Sequence, residues 1–134
     1  MTPIIVLFGL RGSGKSTLGR VLAVRLGCHF TDLDDRVRTR LGAATIAEAF
    51  RGAGEPAFRE AEFAELKAYL AGTNGPAVLA LGGGTPTHAP SRALLEQARA
   101  EGRVRLVLLD AAPAVQGARV SAAPGDRPLL VGAS

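Results

Sequence analysis

A glycine-rich loop near the amino terminus limits what this chain can fold into more than any other feature. Residues 9–17 have the sequence GLRGSGKST, which fits the pattern G-x-x-x-x-G-K-[ST]. The loop lies between an apolar run and a segment whose apolar residues have helical spacing. Loops of this pattern join a buried strand to a helix, so their backbone N–H groups converge on one anion. The chain is therefore predicted to begin with a strand, a phosphate-binding loop and a helix.

The residue types in this loop suit the phosphates of a nucleotide. Gly12 and Gly14 permit backbone conformations that a Cβ disfavours, and a helix that starts near Gly14 directs unpaired N–H groups at the anion. Lys15 is expected to reach the β and γ phosphates, and the Ser16 hydroxyl to ligate magnesium. The predicted nucleotide site consists of Gly12, Ser13, Gly14, Lys15, Ser16 and Thr17. A glycine-rich turn that binds nothing is the alternative, but a chance match to this pattern is rare.

Apolar runs further along the chain predict a parallel sheet. Residues 4–8, 77–81 and 104–109 are nearly all aliphatic, as in strands that are buried on both faces, and 29–33 form a weaker run. The segments between these runs have helical spacing, so strand and helix alternate. We predict an α/β, three-layer fold with four parallel strands, in one domain that spans residues 1–134.

Acidic residues follow the weaker strand, at the end where ligands bind in open α/β sheets. The two-residue period of a strand would place Asp32 and Asp34 on one side. Asp34 or Asp35 could instead cap the helix that follows. The two interpretations are compatible, because they apply to neighbouring residues.

An arginine lies near the start of a long predicted helix. Residues 52–59 have the sequence GAGEPAFR, with Pro56 in the first helical turn, so Arg59 lies where a cation opposes the helix dipole. This misfit is typical of a ligand-binding arginine, whose planar fork suits a carboxylate. A solvated surface arginine is the alternative.

A triple glycine follows the third apolar run. Bare backbone at the end of a strand can approach a small polar ligand and donate hydrogen bonds to it, whereas a plain turn is the alternative. The residues concerned are Gly82, Gly83 and Gly84.

Taken together, these motifs resemble the shikimate kinase family. The phosphate loop, the D-x-D, the G-E-x-x-F-R, the triple glycine and the R-P-L-L of residues 127–130 occur in that family's order, over residues 4–132. The resemblance implies a P-loop kinase that transfers phosphate from ATP, with Mg²⁺, to the 3-hydroxyl of shikimate. It also implies that Asp34 holds the substrate hydroxyls and accepts the attacking proton, and that Asp32 holds magnesium through water. Arg59 would bind the shikimate carboxylate, and the Gly83 backbone would contact a ring hydroxyl.

The end of the chain matches the family's lid, at about residues 119–134. Arg127 corresponds to the lid arginine that closes on the ATP phosphates, and Arg119 to one that lies along adenine. The family continues with a helix that carries another substrate-binding arginine, a last strand and a last helix, for which the chain ends too early. We therefore expect an exposed apolar edge along residues 104–109, self-association, lower stability and weak shikimate binding. The family itself implies a monomer.

The composition of the chain argues against several other classes of function. Hydrophobic residues make up 47% of the chain and charged residues 21%, which is typical of a soluble globular protein, and no apolar run is long enough for a membrane span. Without a signal-peptide pattern, a cytoplasmic location is expected. The single Cys28 excludes an intrachain disulfide, and the scattered basic residues with 4% aromatics argue against nucleic acid despite a net charge of +4. Two alternatives remain: a kinase for another small hydroxylated metabolite, and a non-catalytic nucleotide-binding relative.

Overall fold

Strands and helices alternate along the chain, as the apolar runs predict. The computed structural model describes residues 3–9, 14–110 and 119–121. The strands are β1 (Ile4–Gly9), β2 (Phe30–Asp32), β3 (Ala77–Ala80), β4 (Val104–Asp110) and β5 (Arg119–Ser121). The helices are α1 (Lys15–Leu26), α2 (Leu33–Leu41), α3 (Ile46–Ala53), α4 (Glu55–Gly72) and α5 (Ala89–Ala100), with a 3₁₀ helix at Thr85–Thr87.

The strands form one sheet in the order β2-β3-β1-β4-β5. β1 is central, and it pairs in parallel with β3 on one side and with β4 on the other. β2 extends the parallel sheet beyond β3. The prediction of four parallel strands is confirmed, and the sheet directs the carboxyl ends of β1, β2 and β3 to the same edge.

The two faces of the sheet carry separate cores. Ile4 and Val6 of β1 pack with buried residues of α2, α3, α4 and α5, whereas Leu7 packs with Ala23 of α1 on the opposite face. This division follows from the alternation of side chains along a strand. Helices therefore cover the sheet on both sides, which gives the three layers that the sequence predicts.

The second strand is shorter than the sequence predicts. It ends at Asp32, whose side chain accepts a hydrogen bond of 3.0 Å from the backbone N–H of Asp34, and Leu33 is already the first residue of α2. The cap is therefore Asp32, and not Asp34 or Asp35. Strand period therefore does not relate the side chains of Asp32 and Asp34, contrary to the prediction, because Asp34 belongs to a helix.

The segment between α2 and α4 forms a helix that the sequence analysis did not identify. α3 begins after Thr45, whose side chain accepts a hydrogen bond of 3.1 Å from the N–H of Glu48. It ends at Ala53, and the next residue, Gly54, has a positive φ and caps both α3 and α4, which has Pro56 in its first turn as predicted. Among the described helices, none is long and apolar enough to cross a membrane.

A short fifth strand lies beside β4. β5 runs antiparallel and pairs with the last three residues of β4, from Leu108 opposite Ser121 to Asp110 opposite Arg119. The expectation of a fully exposed edge along residues 104–109 is therefore wrong for the end of that strand. A three-residue strand gives too short a pattern to be recognised from sequence.

Candidate active site

A cavity of about 610 Å³ opens at the carboxyl ends of the parallel strands, the place where ligands bind in open α/β folds. It brings together most of the residues singled out from the sequence: Gly14, Lys15, Ser16, Thr17, Asp32, Asp34, Arg59, Gly82, Gly83 and Gly84. Gly12, Ser13 and Arg127 lie outside the described residues. Of Arg119, only the position of its backbone in β5 is described.

One part of the cavity, which we call the nucleotide side, is built from residues 14–17 and Asp32. Gly14 precedes α1 in the left-handed conformation, with φ of 82°, which favours glycine. No side chain of the described residues caps the first turn of α1, so its N–H groups and the positive end of its dipole are directed at this side of the cavity. The Lys15 ammonium donates a hydrogen bond of 3.1 Å to the carbonyl of Gly9 at the end of β1.

The Ser16 hydroxyl and the Asp32 carboxylate meet on the nucleotide side. Ser16 donates a hydrogen bond of 3.1 Å to Oδ2 of Asp32, whereas Oδ1 of Asp32 caps α2. The cap fixes the orientation of the carboxylate, because one oxygen is held by the backbone of α2. Asp32 therefore lines the cavity, as the sequence predicted, and also has the capping role that was considered for Asp34 or Asp35.

A second part of the same cavity, which we call the acceptor side, is formed by Asp34, Arg59 and Gly82 to Gly84. Asp34 is half-buried in the first turn of α2. Burial raises the pKa of Asp34 to about 6, with the negative charges of Asp32 and Glu62 adding to the increase and the Lys15 ammonium opposing it. A carboxylate in such surroundings binds a proton more readily than an ordinary aspartate does.

Arg59 reaches the acceptor side from the first part of α4. Its Nη1 donates a hydrogen bond of 2.9 Å to Oε1 of Glu62, and its Nε lies 4.0 Å from Oε2 of Glu55. The guanidinium also lies over the rings of Phe58, at 5.3 Å, and Phe50, at 5.8 Å. These carboxylates and rings compensate the unfavourable position of the Arg59 charge at a helix N-terminus. That position is therefore not, by itself, evidence for a bound ligand.

The triple glycine makes room for the two charged side chains. A Cβ on Gly82 would lie 2.5 Å from Oδ1 of Asp34, and a Cβ on Gly84 would overlap the guanidinium of Arg59. Around Gly83, in contrast, the nearest atom to such a Cβ is the Gly9 carbonyl oxygen at 4.0 Å. Two of the three glycines are therefore explained by close approach, and the third presents bare backbone to the cavity.

Glu62 lines the cavity and Thr85 is bonded to it from the protein interior, and neither residue was predicted from the sequence. The side chain of Glu62 is only 1% exposed, and its second oxygen accepts a hydrogen bond of 2.7 Å from the fully buried hydroxyl of Thr85. The three-residue spacing of Arg59 and Glu62 on a helix was the available signal. The contact with Thr85 spans 23 residues, and nothing in the local sequence indicates it.

Ion pairs between α2 and α4 fix the distance between the elements that carry Asp34 and Arg59. Glu65 of α4 accepts hydrogen bonds of 2.9 Å from Arg36 and 3.0 Å from Arg40, both on α2. Burial alone would raise the pKa of Glu65, but these two arginines hold it below its usual range. The two helices are thus held together about one turn away from the cavity.

Comparison with known proteins identifies relatives over nearly the whole chain. The family model described as "Shikimate kinase" matches residues 11–134. The shikimate kinase of Saccharopolyspora erythraea is 42% identical over 98% of this chain and 70% of its own length. That of Streptomyces coelicolor is 45% identical over 96% of this chain and 69% of its own.

A solved structure has the same fold. Shikimate kinase from Acinetobacter baumannii, in complex with shikimate, matches with a TM-score of 0.70 and 39% identity over 81% of this chain. The match covers 56% of that protein's chain. The present chain thus spans about 70% of the length of the curated relatives and somewhat more than half of the solved one.

Proposed function

The chain belongs to the shikimate kinase family, and we propose that it transfers the γ-phosphate of ATP to the 3-hydroxyl of shikimate. One observation carries this proposal: the Asp34 carboxylate and the Arg59 guanidinium line the same cavity as the N-terminus of α1. A kinase for a small acid needs all three, because it must hold a phosphate chain, an anionic acceptor and a hydroxyl within one volume.

The nucleotide side would bind the phosphates of ATP. The first turn of α1 offers backbone N–H groups, and Lys15 offers a positive charge that is now in contact with the Gly9 carbonyl. In the proposed complex, Lys15 exchanges that carbonyl for phosphate oxygens. Gly12, Ser13 and Thr17 would complete the cradle, Arg127 would neutralise charge on the transferred group, and Arg119 would lie along the adenine.

The residues of the nucleotide side also fit a magnesium ion. Among the described residues, no cluster of three or more His, Cys, Asp or Glu side chains is suited to hold a metal. A hydroxyl and a carboxylate that are 3.1 Å apart are instead the partial, oxygen-only ligand set with which proteins hold Mg²⁺ beside phosphates and water. Ser16 and Asp32 would hold the ion, which would neutralise phosphate charge when bound.

The acceptor side would hold shikimate by its carboxylate and its hydroxyls. The Arg59 guanidinium keeps donors besides the one given to Glu62, so it would bind the carboxylate. Asp34 would accept a hydrogen bond from the attacking hydroxyl and then its proton. Its pKa of about 6 leaves it mostly ionised at neutral pH and yet more basic than an ordinary aspartate, which suits a general base.

Bare backbone at Gly83 would contact a ring hydroxyl, with Gly82 and Gly84 beside it. We place this reaction in the cytoplasm, where ATP is available, with the small acid as the partner and no role for nucleic acid. The named relatives favour shikimate over the other hydroxylated acceptors that the sequence left open.

A direct assay tests the proposal. The chain is incubated with ATP, Mg²⁺ and shikimate, ADP release is followed, and the product is examined by phosphorus NMR for a phosphate ester. We expect acceptor-dependent ADP release and an ester at the 3-hydroxyl. The methyl ester of shikimate, which lacks the negative charge that Arg59 would bind, should be at least about tenfold poorer in kcat/KM.

A panel of other hydroxylated acids and sugars serves as the comparison in this assay. Equal turnover of a different acceptor would assign the chain to another substrate. ATP binding without turnover on any acceptor would instead support a non-catalytic nucleotide-binding protein.

A further inference from the structure

A buried hydrogen bond joins the two elements that form the acceptor side. Thr85 is fully buried, and its hydroxyl donates to Oε2 of Glu62 over 2.7 Å. Glu62 is itself 1% exposed and accepts from Arg59 over 2.9 Å with its other oxygen. The three side chains therefore form a chain from the loop after β3, through the interior, to the guanidinium at the cavity.

The backbone of Thr85 is directly linked to glycines that line the cavity. It directly follows the triple glycine, and its own N–H donates to the Gly82 carbonyl over 3.2 Å. Gly84, its neighbour, is the residue whose missing side chain leaves space for Arg59. The hydroxyl of Thr85 thus holds the glycine loop and helix α4 at a fixed separation from each other.

Given the proposed function, we infer that Thr85 is a positioning residue that sets the affinity for the acceptor's carboxylate, by restraining Glu62 and through it Arg59. The restraint on Glu62 determines how many N–H donors of Arg59 remain available to a ligand. With Thr85 bonded to Oε2, Glu62 offers one oxygen to the guanidinium, and a second N–H of Arg59 stays available for a ligand.

Loss of the hydroxyl would change this distribution of donors. A buried carboxylate oxygen without a partner is unfavourable, so Oε2 would turn to the guanidinium of Arg59, which already donates to the other oxygen of Glu62. A two-oxygen, two-nitrogen pair is the preferred geometry of arginine with a carboxylate. Arg59 would then be held by Glu62, and the acceptor's carboxylate would compete with it less well.

The test compares Thr85→Val, which keeps the shape and removes the hydroxyl, with Thr85→Ser, which keeps the hydroxyl. We expect the KM for shikimate to rise about five- to tenfold in Thr85→Val, with the KM for ATP unchanged and kcat within about twofold. Thr85→Ser should restore a KM close to that of the unaltered chain. Thr85→Ala is measured in parallel, because it removes the same hydroxyl without placing a methyl group against Glu62.

Ser91→Ala is the matched control. Ser91 is also fully buried, and its hydroxyl bonds the ring of His88 over 3.1 Å, away from the cavity. It should lose stability without any change in the KM for shikimate. A rise in the KM for ATP equal to that for shikimate in Thr85→Val would overturn the inference, as would an unchanged KM for both.

A second measurement needs no acceptor, so it separates this inference from the proposed function. The Nε–H signal of Arg59 in a ¹⁵N spectrum, assigned by its loss in Arg59→Lys, should shift in Thr85→Val and stay in place in Ser91→Ala. If the unaltered chain proves inactive on shikimate, the proposed function fails while this signal still reports on the link. An Arg59 signal identical in Thr85→Val and the unaltered chain would contradict the inference whatever the acceptor is.

Discussion

The two sides of the cavity are built in different ways. The nucleotide side comes from a nearly continuous stretch, residues 14–17, joined by one aspartate, and it relies on backbone N–H groups and one lysine. The acceptor side comes from α2, α4 and the loop after β3, and it is held by charged side chains that bind one another. One side is a local motif, whereas the other is a tertiary network.

This difference has a functional consequence. On the acceptor side, the guanidinium of Arg59 is already paired with Glu62, so a ligand there must share donors with the protein. On the nucleotide side, the helix N-terminus has no side-chain cap among the described residues, so phosphate has no carboxylate competitor at those N–H groups. Substitutions on the acceptor side should therefore alter acceptor binding and turnover and leave ATP binding nearly unchanged.

The largest effect is expected from Asp34→Asn. An amide cannot accept the proton of the attacking hydroxyl, so kcat should fall by about 10² to 10⁴, the usual contribution of a general base. The affinity for ATP should change less than about twofold, because no side chain of the described residues, Asp34 included, caps the N–H groups of α1 that would bind the phosphates. Steady-state kinetics on shikimate and ATP titration measure the two quantities.

Asp35→Asn is the control for this substitution. Asp35 is the next residue in the same helical turn, but its side chain is 63% exposed and its contact with Arg38 is long, at 3.8 Å. It should retain full turnover. If Asp34→Asn kept full turnover too, Asp34 would not be the general base. If it lost ATP affinity in the same proportion as turnover, the two sides of the cavity would not act independently.

A smaller effect on the same side is expected from Gly84→Ala. The added methyl group would overlap the Arg59 guanidinium, the flexible end of a long side chain, so the fold should persist while the arginine is displaced. The KM for shikimate should rise about 10- to 100-fold, as for the loss of a charge-assisted hydrogen bond to a carboxylate. The KM for ATP should stay the same.

Gly52→Ala supplies the comparison for Gly84→Ala. Gly52 lies in α3, and a methyl group there meets nothing within 4 Å. It should leave both KM values unchanged. A Gly84→Ala variant with an unaltered KM for shikimate would show that Arg59 does not bind the acceptor.

The same contrast explains what the sequence could predict. The alternating apolar runs predicted the parallel strands because burial on both faces requires aliphatic residues, and the loop of residues 9–17 predicted the nucleotide side because its spacing is local. The acidic residues after β2 and the glycines 82–84 were expected at one cavity because the ends of parallel strands meet at one edge, whereas Arg59 was expected there from its place near a helix N-terminus and from the family resemblance.

What the sequence could not predict depends on contacts between distant segments. The bond from Thr85 to Glu62 joins two elements that only the packing of α4 against the sheet brings together. The triple glycine was interpreted as ligand-binding backbone, whereas Gly82 and Gly84 also make space for Asp34 and Arg59. The cap of α2 was assigned to Asp34 or Asp35 instead of Asp32 because each of these three aspartates, within four residues, satisfies the same local rule.

The smallest expected effect is on the free energy of unfolding, which Asp34→Asn should raise although the same substitution lowers activity. The pKa of Asp34 in the folded chain, about 6, exceeds its ordinary value of 3.8, so the folded state binds the proton at a higher pH than the unfolded chain does. As pH rises from about 4 to 7, ionisation of Asp34 therefore lowers the free energy of unfolding.

Asp34→Asn removes that charge and should stabilise the chain at pH 7 by roughly 1 to 2 kcal/mol, after allowance for the solvent that still reaches this side chain. Urea unfolding at several pH values measures the difference, which should vanish near pH 4 and be absent in Asp35→Asn. An Asp34→Asn variant that is no more stable than the unaltered chain at pH 7 would mean that the ionised Asp34 carboxylate does not destabilise the folded state.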